Sequence, residues 1–271
     1  MVSFPNAKIN IGLNITGKRP DGFHNLQTVF HPIDIKDALE IISASSDETT
    51  NFSHTGINVP GKESDNLCIK AYQLLKKDYP NLPSVKIHLH KNIPIGAGLG
   101  GGSANGAFTL NMLNNIYEIG LSKRELIEYA LILGSDCPFF IENETCFATG
   151  RGESMEPISL NLHEYKIVLI NPGIHVNTGW AFSNLNILKK SDTLSDIANI
   201  PVEEWKKYIF NDFETPVFAA FPAIKNIKES LYQEGATFAS MSGTGSTVYG
   251  LFKKNIVPEL NFTSSYFLKW V

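Results

Sequence analysis

The stretch that decides the fold reads Pro94-Ile95-Gly96-Ala97-Gly98-Leu99-Gly100-Gly101-Gly102-Ser103-Ala104-Asn105. Five glycines fall within its seven positions from Gly96 to Gly102, and an apolar helical pattern follows. Glycine accepts a positive φ and lets a ligand approach the backbone closely, because it has no Cβ. A helix N-terminus adds free N–H groups and the positive end of the helix dipole. We therefore predict an anion cradle suited to a chain of phosphates.

Other interpretations of the glycine run are weaker. A flexible linker is rarely followed at once by an apolar helix. Gly96, Gly98 and Gly101 satisfy the G-x-G-x-x-G pattern of dinucleotide-binding folds. That site needs a strand running directly into the first glycine, and Pro94 intervenes here. The candidate acid, Glu118, follows a helix rather than a strand. A nicotinamide-dependent oxidoreductase therefore stays only as an alternative from a different class, and a Walker A loop is excluded because its lysine is missing.

The N-terminal segment 7–15 alternates apolar and polar residues with a period of two. This pattern predicts a β-strand with one buried face and one polar face, and Lys8 and Asn10 project together from the polar face. The strand ends before Pro20-Asp21-Gly22, a sequence typical of a tight turn. Phe23-His24 follows that turn immediately.

The remaining elements mix without strict alternation, which predicts an α+β fold. Strands are predicted over 26–42, 85–89, 165–170, 236–241 and 246–252, and Ser43 to Gly56 as a loop or exposed hairpin. Helices are predicted from a cap at Ser64 or Asp65 to Tyr79, from Ser103 to about Ile116, from the capping box at Ser122 to Gly134, over 178–187 and 202–210, and from Pro222 to Gly235.

Composition excludes several classes of protein. The chain has 271 residues and a net charge of −4, which argues against a general nucleic-acid binder with a basic face. Its three cysteines form no CxxC pair, as expected in a reduced compartment without structural zinc. No apolar run approaches the roughly 20 residues that span a bilayer, and no basic-then-apolar leader begins the chain. We expect a cytoplasmic protein that does not bind membranes.

Three segments together resemble the superfamily of galactokinase, homoserine kinase, mevalonate kinase and phosphomevalonate kinase. They are the start of the chain, the run Pro94–Ser103, and Ser242-Gly243-Thr244-Gly245. Within it the chain resembles the branch that acts on a cytidine diphosphate-linked methylerythritol in the non-mevalonate isoprenoid pathway. The segments that carry this narrower resemblance are Ala7-Lys8-Ile9-Asn10, Ile15-Thr16-Gly17-Lys18-Arg19-Pro20-Asp21-Gly22-Phe23-His24, Asp65-Asn66-Leu67, Gly98-Leu99-Gly100-Gly101-Gly102-Ser103, Gly134-Ser135-Asp136-Cys137-Pro138-Phe139 and Asn211-Asp212-Phe213-Glu214.

The resemblance implies transfer of the γ-phosphate of ATP, with Mg²⁺, to the 2-hydroxyl of the methylerythritol unit. It implies a two-lobed α+β kinase fold with the active site in the cleft between the lobes. Asp136 matches the catalytic base and Lys8 its partner. A carboxylate can take the proton of an attacking hydroxyl, and an ammonium beside it favours the ionised form. Without the resemblance, Asp136 would be interpreted as a turn residue and Lys8 as part of a solvated strand face.

The resemblance also implies the binding residues. Residues 1–150 would form the ATP-binding and catalytic domain, and 151–271 the substrate-binding domain. At the nucleotide site, the residues that match those beside adenine are Asn66, Leu67 and Lys91. Those that match residues beside the phosphates are Ser103, Asn105 and the rest of the run Pro94-Ile95-Gly96-Ala97-Gly98-Leu99-Gly100-Gly101-Gly102-Ser103-Ala104-Asn105. Those matching the substrate site are Phe23 and Phe182 around the cytosine ring, His24 at its edge, Asn10 near the substrate and Thr178 at the diphosphate.

Two further alternatives stay open at this point. One is another kinase of the superfamily, of the homoserine or mevalonate type, which needs no aromatic pair for cytosine. The other is a catalytically silent nucleotide-binding regulator, against which the combination of Lys8 and Asp136 argues. The metal ligands and the oligomeric state are not predicted.

Overall fold

The computed structural model describes residues 1–45, 48–186 and 194–271. They form two compact units, each assembled from separate stretches of chain. The first unit comprises Met1–Ala7, Pro32–Ile95 and Gly100–Glu144, and the second comprises Lys8–His31, Gly96–Leu99 and Thr145–Val271. This interleaved division differs from a single break at residue 150, which stays a prediction about functional domains.

In chain order the strands are β1 (Val2–Ser3), β2 (Asn6–Lys18), β3 (His24–Lys36), β4 (Ala38–Ser43), β5 (Asn51–Gly56), β6 (Val85–Lys91), β7 (Cys146–Thr149), β8 (Ser154–Pro157), β9 (Tyr165–Asn171), β10 (Phe238–Met241), β11 (Val248–Lys253) and β12 (Phe267–Trp270). The α-helices are α1 (Leu67–Asp78), α2 (Gly101–Ile116), α3 (Lys123–Leu133), α4 (Phe139–Glu142), α5 (Thr178–Ser183), α6 (Trp205–Tyr208), α7 (Glu214–Ala220) and α8 (Pro222–Gln233). The mixed elements confirm the α+β class, and no helix in the described ranges is long and apolar enough to cross a membrane.

The first unit contains a sheet of order β1-β4-β6-β5, in which β5 alone pairs in parallel. Its apolar positions alternate, so that Val85, Ile87 and Leu89 of β6 are buried while Lys86 is exposed. Helix α2 contacts β4 and also α1, and it contributes a largely buried face to the core. The predicted loop or hairpin over 43–56 is wrong at its C-terminal end, because β5 adds to β6 as a parallel strand.

Helix boundaries in this unit follow local capping chemistry. The capping box of Ser122 and Glu125 begins α3 as predicted, and Gly134 ends it. The predicted cap of α1 at Ser64 or Asp65 is wrong. Asn66 is the N-cap, because its Oδ1 accepts the Cys68 N–H at 2.9 Å, and the two residues before it belong to a 3₁₀ turn.

Two further sheets have the orders β2-β3-β7-β8 and β10-β11-β9-β12. In the second unit, β9 pairs on both sides, with β11 and β12. A core of aliphatic and aromatic side chains joins Leu13 and Ile15 of β2 to Ile170 of β9 and to Ile224 and Ile227 of α8. Helix α8 begins at Pro222, as predicted, since proline suits the first turn.

Three predictions need correction in the second unit. The strand over 7–15 is present as β2, and Lys8 and Asn10 share its polar face, but Asn6 to Ile15 are buried on both faces, so the expectation that only one face is buried is wrong. The helix predicted over 178–187 is the short α5, with residue 187 outside the described residues. The helix predicted over 202–210 divides into a 3₁₀ turn and the four-residue α6.

Candidate active site

The glycine run is held in the conformation that its composition predicts. Gly96, Gly98 and Gly100 have φ values of 63°, 77° and 69°, which favour glycine strongly. A Cβ on Gly98 would lie 2.0 Å from the carbonyl oxygen of Ser242. Ser242 Oγ donates to the Gly98 carbonyl at 2.7 Å, and the Thr247 N–H donates to the Ala97 carbonyl at 3.2 Å. The turn 242–245 therefore packs directly on the backbone of the glycine run, where no side chain could fit.

Helix α2 begins immediately after the run with an N-terminus that lacks a side-chain cap. Gly100 is its N-cap residue and carries no side chain that could accept a hydrogen bond. The first three N–H groups of a helix have no partner inside the helix. Together with the helix dipole they can bind an anion, as the sequence predicts.

The turn that carries Asp136 lies beside the first turn of α2 in the same unit. The Cys137 N–H closes this turn onto the Gly134 carbonyl at 3.1 Å, and the Cys137 thiol is close enough to Ser103 for the Ser103 side chain to oppose the rise of the thiol's pKa. Burial raises the pKa of the Cys137 thiol to about 12, so the thiol stays protonated. A carboxylate beside a helix N-terminus can accept a proton from a group that attacks a phosphate bound at that terminus.

Lys8 belongs to a buried polar chain inside the second unit. Its Nζ donates to Asn10 Oδ1 at 2.5 Å, Asn10 Nδ2 donates to Thr28 Oγ1 at 2.9 Å, and Thr28 Oγ1 donates to the Gly12 carbonyl at 2.6 Å. Lys8 Nζ also lies 4.8 Å from the centre of the Phe30 ring, a cation–π distance. These contacts fix the direction of the ammonium, and Lys8 is buried, at 3% exposed.

Strand β2 is tied to both glycine segments near Lys8. The Lys8 N–H donates to the Leu99 carbonyl at 3.0 Å, and the Asn10 N–H donates to Ser242 Oγ at 3.1 Å. Asn211 adds a further link, because its Nδ2 donates to the carbonyls of Met241 and Gly243. These bonds bring Asn10, the glycine run and the turn 242–245 together, as three separate stretches of sequence.

The aromatic residues after the Pro20-Asp21-Gly22 turn have different neighbours. His24 stacks on Phe182 with ring centres 4.9 Å apart, and Phe182 packs edge-on against Phe213. Burial lowers the pKa of His24, which favours the neutral imidazole. Phe23 is 49% exposed, and the guanidinium carbon of Arg151 lies 3.7 Å from its ring centre. The ring that contacts Phe182 directly is therefore His24, and Phe23 contacts Arg151.

The other predicted site residues lie as follows. Asn66 caps α1, and Leu67 begins that helix. The side chains of Lys91 and Asn105 are buried and donate to Asp37. Thr178 is exposed, with its hydroxyl 3.5 Å from that of Thr244. The non-glycine residues of the run differ in exposure. Ile95 is exposed, Pro94 is half-buried, and Ala97, Leu99 and Ala104 are buried.

Sequence reasoning gave no site role to Asp37, Thr28, Arg151 or Asn211, although Asn211 lies in one of the segments that carry the resemblance. A signal existed for Asp37, because Ile33, Ile35, Asp37, Leu39 and Ile41 follow a period of two, and an acid therefore stands at an inward position. Arg151 had no such signal, since its partner is distant in sequence. Within the described residues, no group of three or more His, Cys, Asp or Glu side chains could hold a metal ion.

Comparison with known proteins defines the class first. Residues 66–143 match the family model of the GHMP kinases N terminal domain, and residues 193–259 match that of the GHMP kinases C terminal. A crystal structure of mevalonate kinase from Methanococcus jannaschii superposes with a TM-score of 0.67 over 94% of this chain and 92% of that one. At 15% identity this likeness shows the fold alone. The fold is that of a GHMP kinase.

Closer relatives narrow the class. A 4-diphosphocytidyl-2-C-methyl-D-erythritol kinase of Azobacteroides pseudotrichonymphae is 50% identical over 266 residues, covering 98% of each chain. One of Bacteroides fragilis is 47% identical over 98% of this chain and 97% of the relative. A crystal structure of a 4-(cytidine 5'-diphospho)-2C-methyl-D-erythritol kinase has a TM-score of 0.76 and 29% identity, covering 93% of this chain and 90% of that one. The chain belongs to the family of 4-diphosphocytidyl-2-C-methyl-D-erythritol kinases, which confirms the resemblance seen in its motifs.

Proposed function

We propose that this protein transfers the γ-phosphate of ATP to the 2-hydroxyl of 4-diphosphocytidyl-2-C-methyl-D-erythritol. The observation that carries the proposal is the position of Asp136, next to Cys137, whose thiol is close enough to Ser103 in the first turn of α2 for that side chain to affect the thiol's pKa. A proton acceptor and an uncapped helix N-terminus are thereby neighbours within one unit. Phosphoryl transfer needs both a base and an anion cradle.

In the proposed reaction the 2-hydroxyl oxygen forms a bond to the γ-phosphorus, and the bond between that phosphorus and the β-γ bridging oxygen breaks. The proton of the hydroxyl passes to the carboxylate of Asp136, and ADP leaves. Lys8, fixed by Asn10, supplies positive charge that offsets the charge on the reacting oxygens. Because phosphoryl transfer is catalysed mainly by positioning and electrostatics, fixed side chains of this kind suit it.

We propose that the nucleotide uses the helix terminus and the glycine run, with Asn66, Leu67 and Lys91 on the adenine side and Ser103 and Asn105 on the phosphate side. The run fits a phosphate chain, because its positive-φ glycines leave the backbone open to close approach. Mg²⁺ accompanies ATP in such transfers, and we expect phosphate oxygens to be its main ligands.

The cytidine end of the substrate is proposed to bind beside the Pro20-Asp21-Gly22 turn. Phe23 offers an exposed ring, and neutral His24 can both donate to and accept from the edge of a base. Phe182, stacked on His24, and Thr178 at the start of α5 complete the proposed set, with Asn10 near the acceptor. The substrate is a small molecule, and the cytoplasmic location stays a prediction.

The proposal is tested with purified protein, ATP, Mg²⁺ and the cytidine substrate, measuring ADP release and phosphorylated product by mass spectrometry. Homoserine and mevalonate serve as competing acceptors, and thermal shift with ATP, NAD or CDP reports binding separately. A ligand present at a hundredfold excess over its Kd raises the apparent stability by roughly 2.7 kcal/mol. Turnover of homoserine or mevalonate in preference to the cytidine substrate would reject the proposed acceptor, and stabilisation by NAD alone would reject the kinase.

A further inference from the structure

A buried charged cluster in the first unit joins two residues of the proposed nucleotide site, Lys91 and Asn105, to Asp37, which has no role in the reaction as proposed. It consists of Asp37 in the link between β3 and β4, Lys91 at the end of β6, and Asn105 in α2, which are 1%, 3% and 3% exposed. A charged group is rarely buried unless it is paired and hydrogen-bonded. The cluster therefore calls for an explanation beyond general stability.

Asp37 is the centre of this cluster. Its Oδ2 accepts from Lys91 Nζ at 2.5 Å and from Asn105 Nδ2 at 2.9 Å. Its Oδ1 accepts from the backbone N–H groups of Asn92 at 2.8 Å and Ile93 at 2.9 Å. One carboxylate thus binds four donors, about as many as its two oxygens can accept.

These donors lie on both sides of the glycine run. Asn92 and Ile93 come just before Pro94, and Asn105 belongs to the helix that follows the run. Asp37 therefore fixes the chain where it enters the run and where it leaves it. Hydrogen bonds to a charged acceptor are shorter and stronger than neutral ones, so this anchor is rigid.

Gly101, the first residue of α2, packs directly on the cluster. A Cβ at this position would lie 2.9 Å from Lys91 Nζ and 2.9 Å from Ile93 Cγ2. The ammonium is thus in contact with the first turn of the helix whose N–H groups are proposed to bind phosphate. Burial lowers the pKa of Lys91, and the adjacent Asp37 carboxylate opposes that shift, so the pair depends on both members.

We propose that Asp37 is a positioning residue for the nucleotide site, holding the two ends of the glycine run at a fixed spacing through Lys91, Asn105 and the backbone of Asn92 and Ile93. The inference rests on the proposed ATP site. It gives Lys91 and Asn105 a supporting role there, exerted through Asp37.

The test exchanges the carboxylate of Asp37 and the amide of Asn105, which are hydrogen-bonded to each other. Asp37→Asn still accepts from the backbone with one oxygen, but it turns an amide NH₂ towards the Lys91 ammonium and the NH₂ of Asn105. The double variant D37N/N105D restores one donor and one acceptor. We expect D37N to weaken ATP binding by roughly tenfold or more, since it loses hydrogen bonds to a charged group. The Kd of the cytidine substrate should stay within about twofold, and the double variant should recover most of the loss.

The matched control is Lys86→Met, on the same strand β6 as Lys91, which removes an exposed lysine paired with Glu48. It should leave both Kd values unchanged. Hydrogen exchange of residues 92–104, measured without ligand, should accelerate in D37N and slow again in the double variant. If D37N does not fold, hydrogen exchange of residues 92–104 in ligand-free Asn105→Ala replaces it, because this variant keeps the buried Lys91–Asp37 ion pair and the measurement needs no nucleotide; unchanged exchange there would overturn the anchoring role of Asp37.

The outcomes separate the two proposals. Three results would overturn the positioning role. They are an unchanged ATP affinity in folded D37N, an equal loss of affinity for ATP and for the cytidine substrate, and no recovery of ATP affinity in D37N/N105D. A wild-type protein that binds no ATP would instead reject the proposed function. In that case the hydrogen-exchange comparison still decides whether Asp37 orders the glycine run.

Discussion

Ser242 donates a hydrogen bond from its Oγ to the carbonyl oxygen of Gly98, and its own carbonyl oxygen occupies the space that a Cβ on Gly98 would need. The two residues are far apart in sequence, yet their backbones are in direct contact. The glycine run is therefore shaped from outside as well as by its own composition. This contact gives the sharpest test of the anion cradle.

Gly98→Ala should disrupt the run, because the new methyl carbon would lie 2.0 Å from the Ser242 carbonyl oxygen and the residue has a φ of 77°. We expect ATP binding measured by calorimetry to be lost in a folded variant. Gly17→Ala is the control, since a Cβ there meets nothing within 4 Å and the residue has no positive φ. An unchanged ATP affinity in folded Gly98→Ala would show that nucleotide binding does not depend on this part of the run.

Asp136→Asn should lower kcat by roughly 10²–10⁴, because the amide cannot take the proton of the attacking hydroxyl. The Kd of ATP should barely change, since the proposed role concerns the transition state alone. The control is Asp34→Asn, an exposed carboxylate paired with exposed Lys36. Asp136 has no part in the mechanism if the variant keeps more than about a third of the wild-type kcat in single-turnover measurements.

Phe23→Ala should raise the Kd of the cytidine substrate by about 5–150-fold, since stacking of a base on an aromatic ring contributes roughly 1–3 kcal/mol to binding. Phe182→Ala should act similarly, although it also removes the stacking partner of His24. The double variant should lose less than the sum, because the two rings act on the same base.

The Kd values of the cytidine substrate and of ATP, measured in all four proteins, decide this prediction. Val257→Ala serves as a control, because Val257 is the most exposed of the large hydrophobic side chains among the described residues. Weaker ATP binding with an unaffected cytidine ligand would mean that the two pockets are assigned the wrong way round. No change in either ligand would make Phe23 a packing residue.

His31 should make the protein less stable in acid. Burial lowers the pKa of His31 from 6.5 to about 4. The unfolded chain therefore binds the proton more tightly, and the free energy of unfolding falls as the pH drops from about 6.5 towards 4. Over this range the free energy of unfolding falls by about 3 kcal/mol, at 1.36 kcal/mol for each unit by which the pKa is lowered. Urea unfolding of wild type and His31→Gln at several pH values checks this, with exposed His163→Gln as control. Equal pH slopes in wild type and His31→Gln would contradict the prediction.

Local patterns were sufficient for most of the helices and strands. The capping box at Ser122, the proline that starts α8 and the alternation in β6 depend only on neighbouring residues, so they could be predicted directly. Strand β5 was missed because its polar sequence has no apolar alternation, and it exists by pairing with β6. Short strands such as β7 likewise depend on partners that are distant in the chain.

The sequence by itself determined the class of the protein and the glycine run, because composition fixes where positive φ values are possible and because the motifs carry the family. Tertiary structure decided the environment of each side chain. Lys8 was predicted on a polar face and is buried with Asn10, and Lys91 pairs with Asp37, which no local pattern links to it. The physical reason is that burial and charge pairing depend on which segments fold against one another. Alternation along a strand shows which residues share a face, and only the packed structure shows what covers that face.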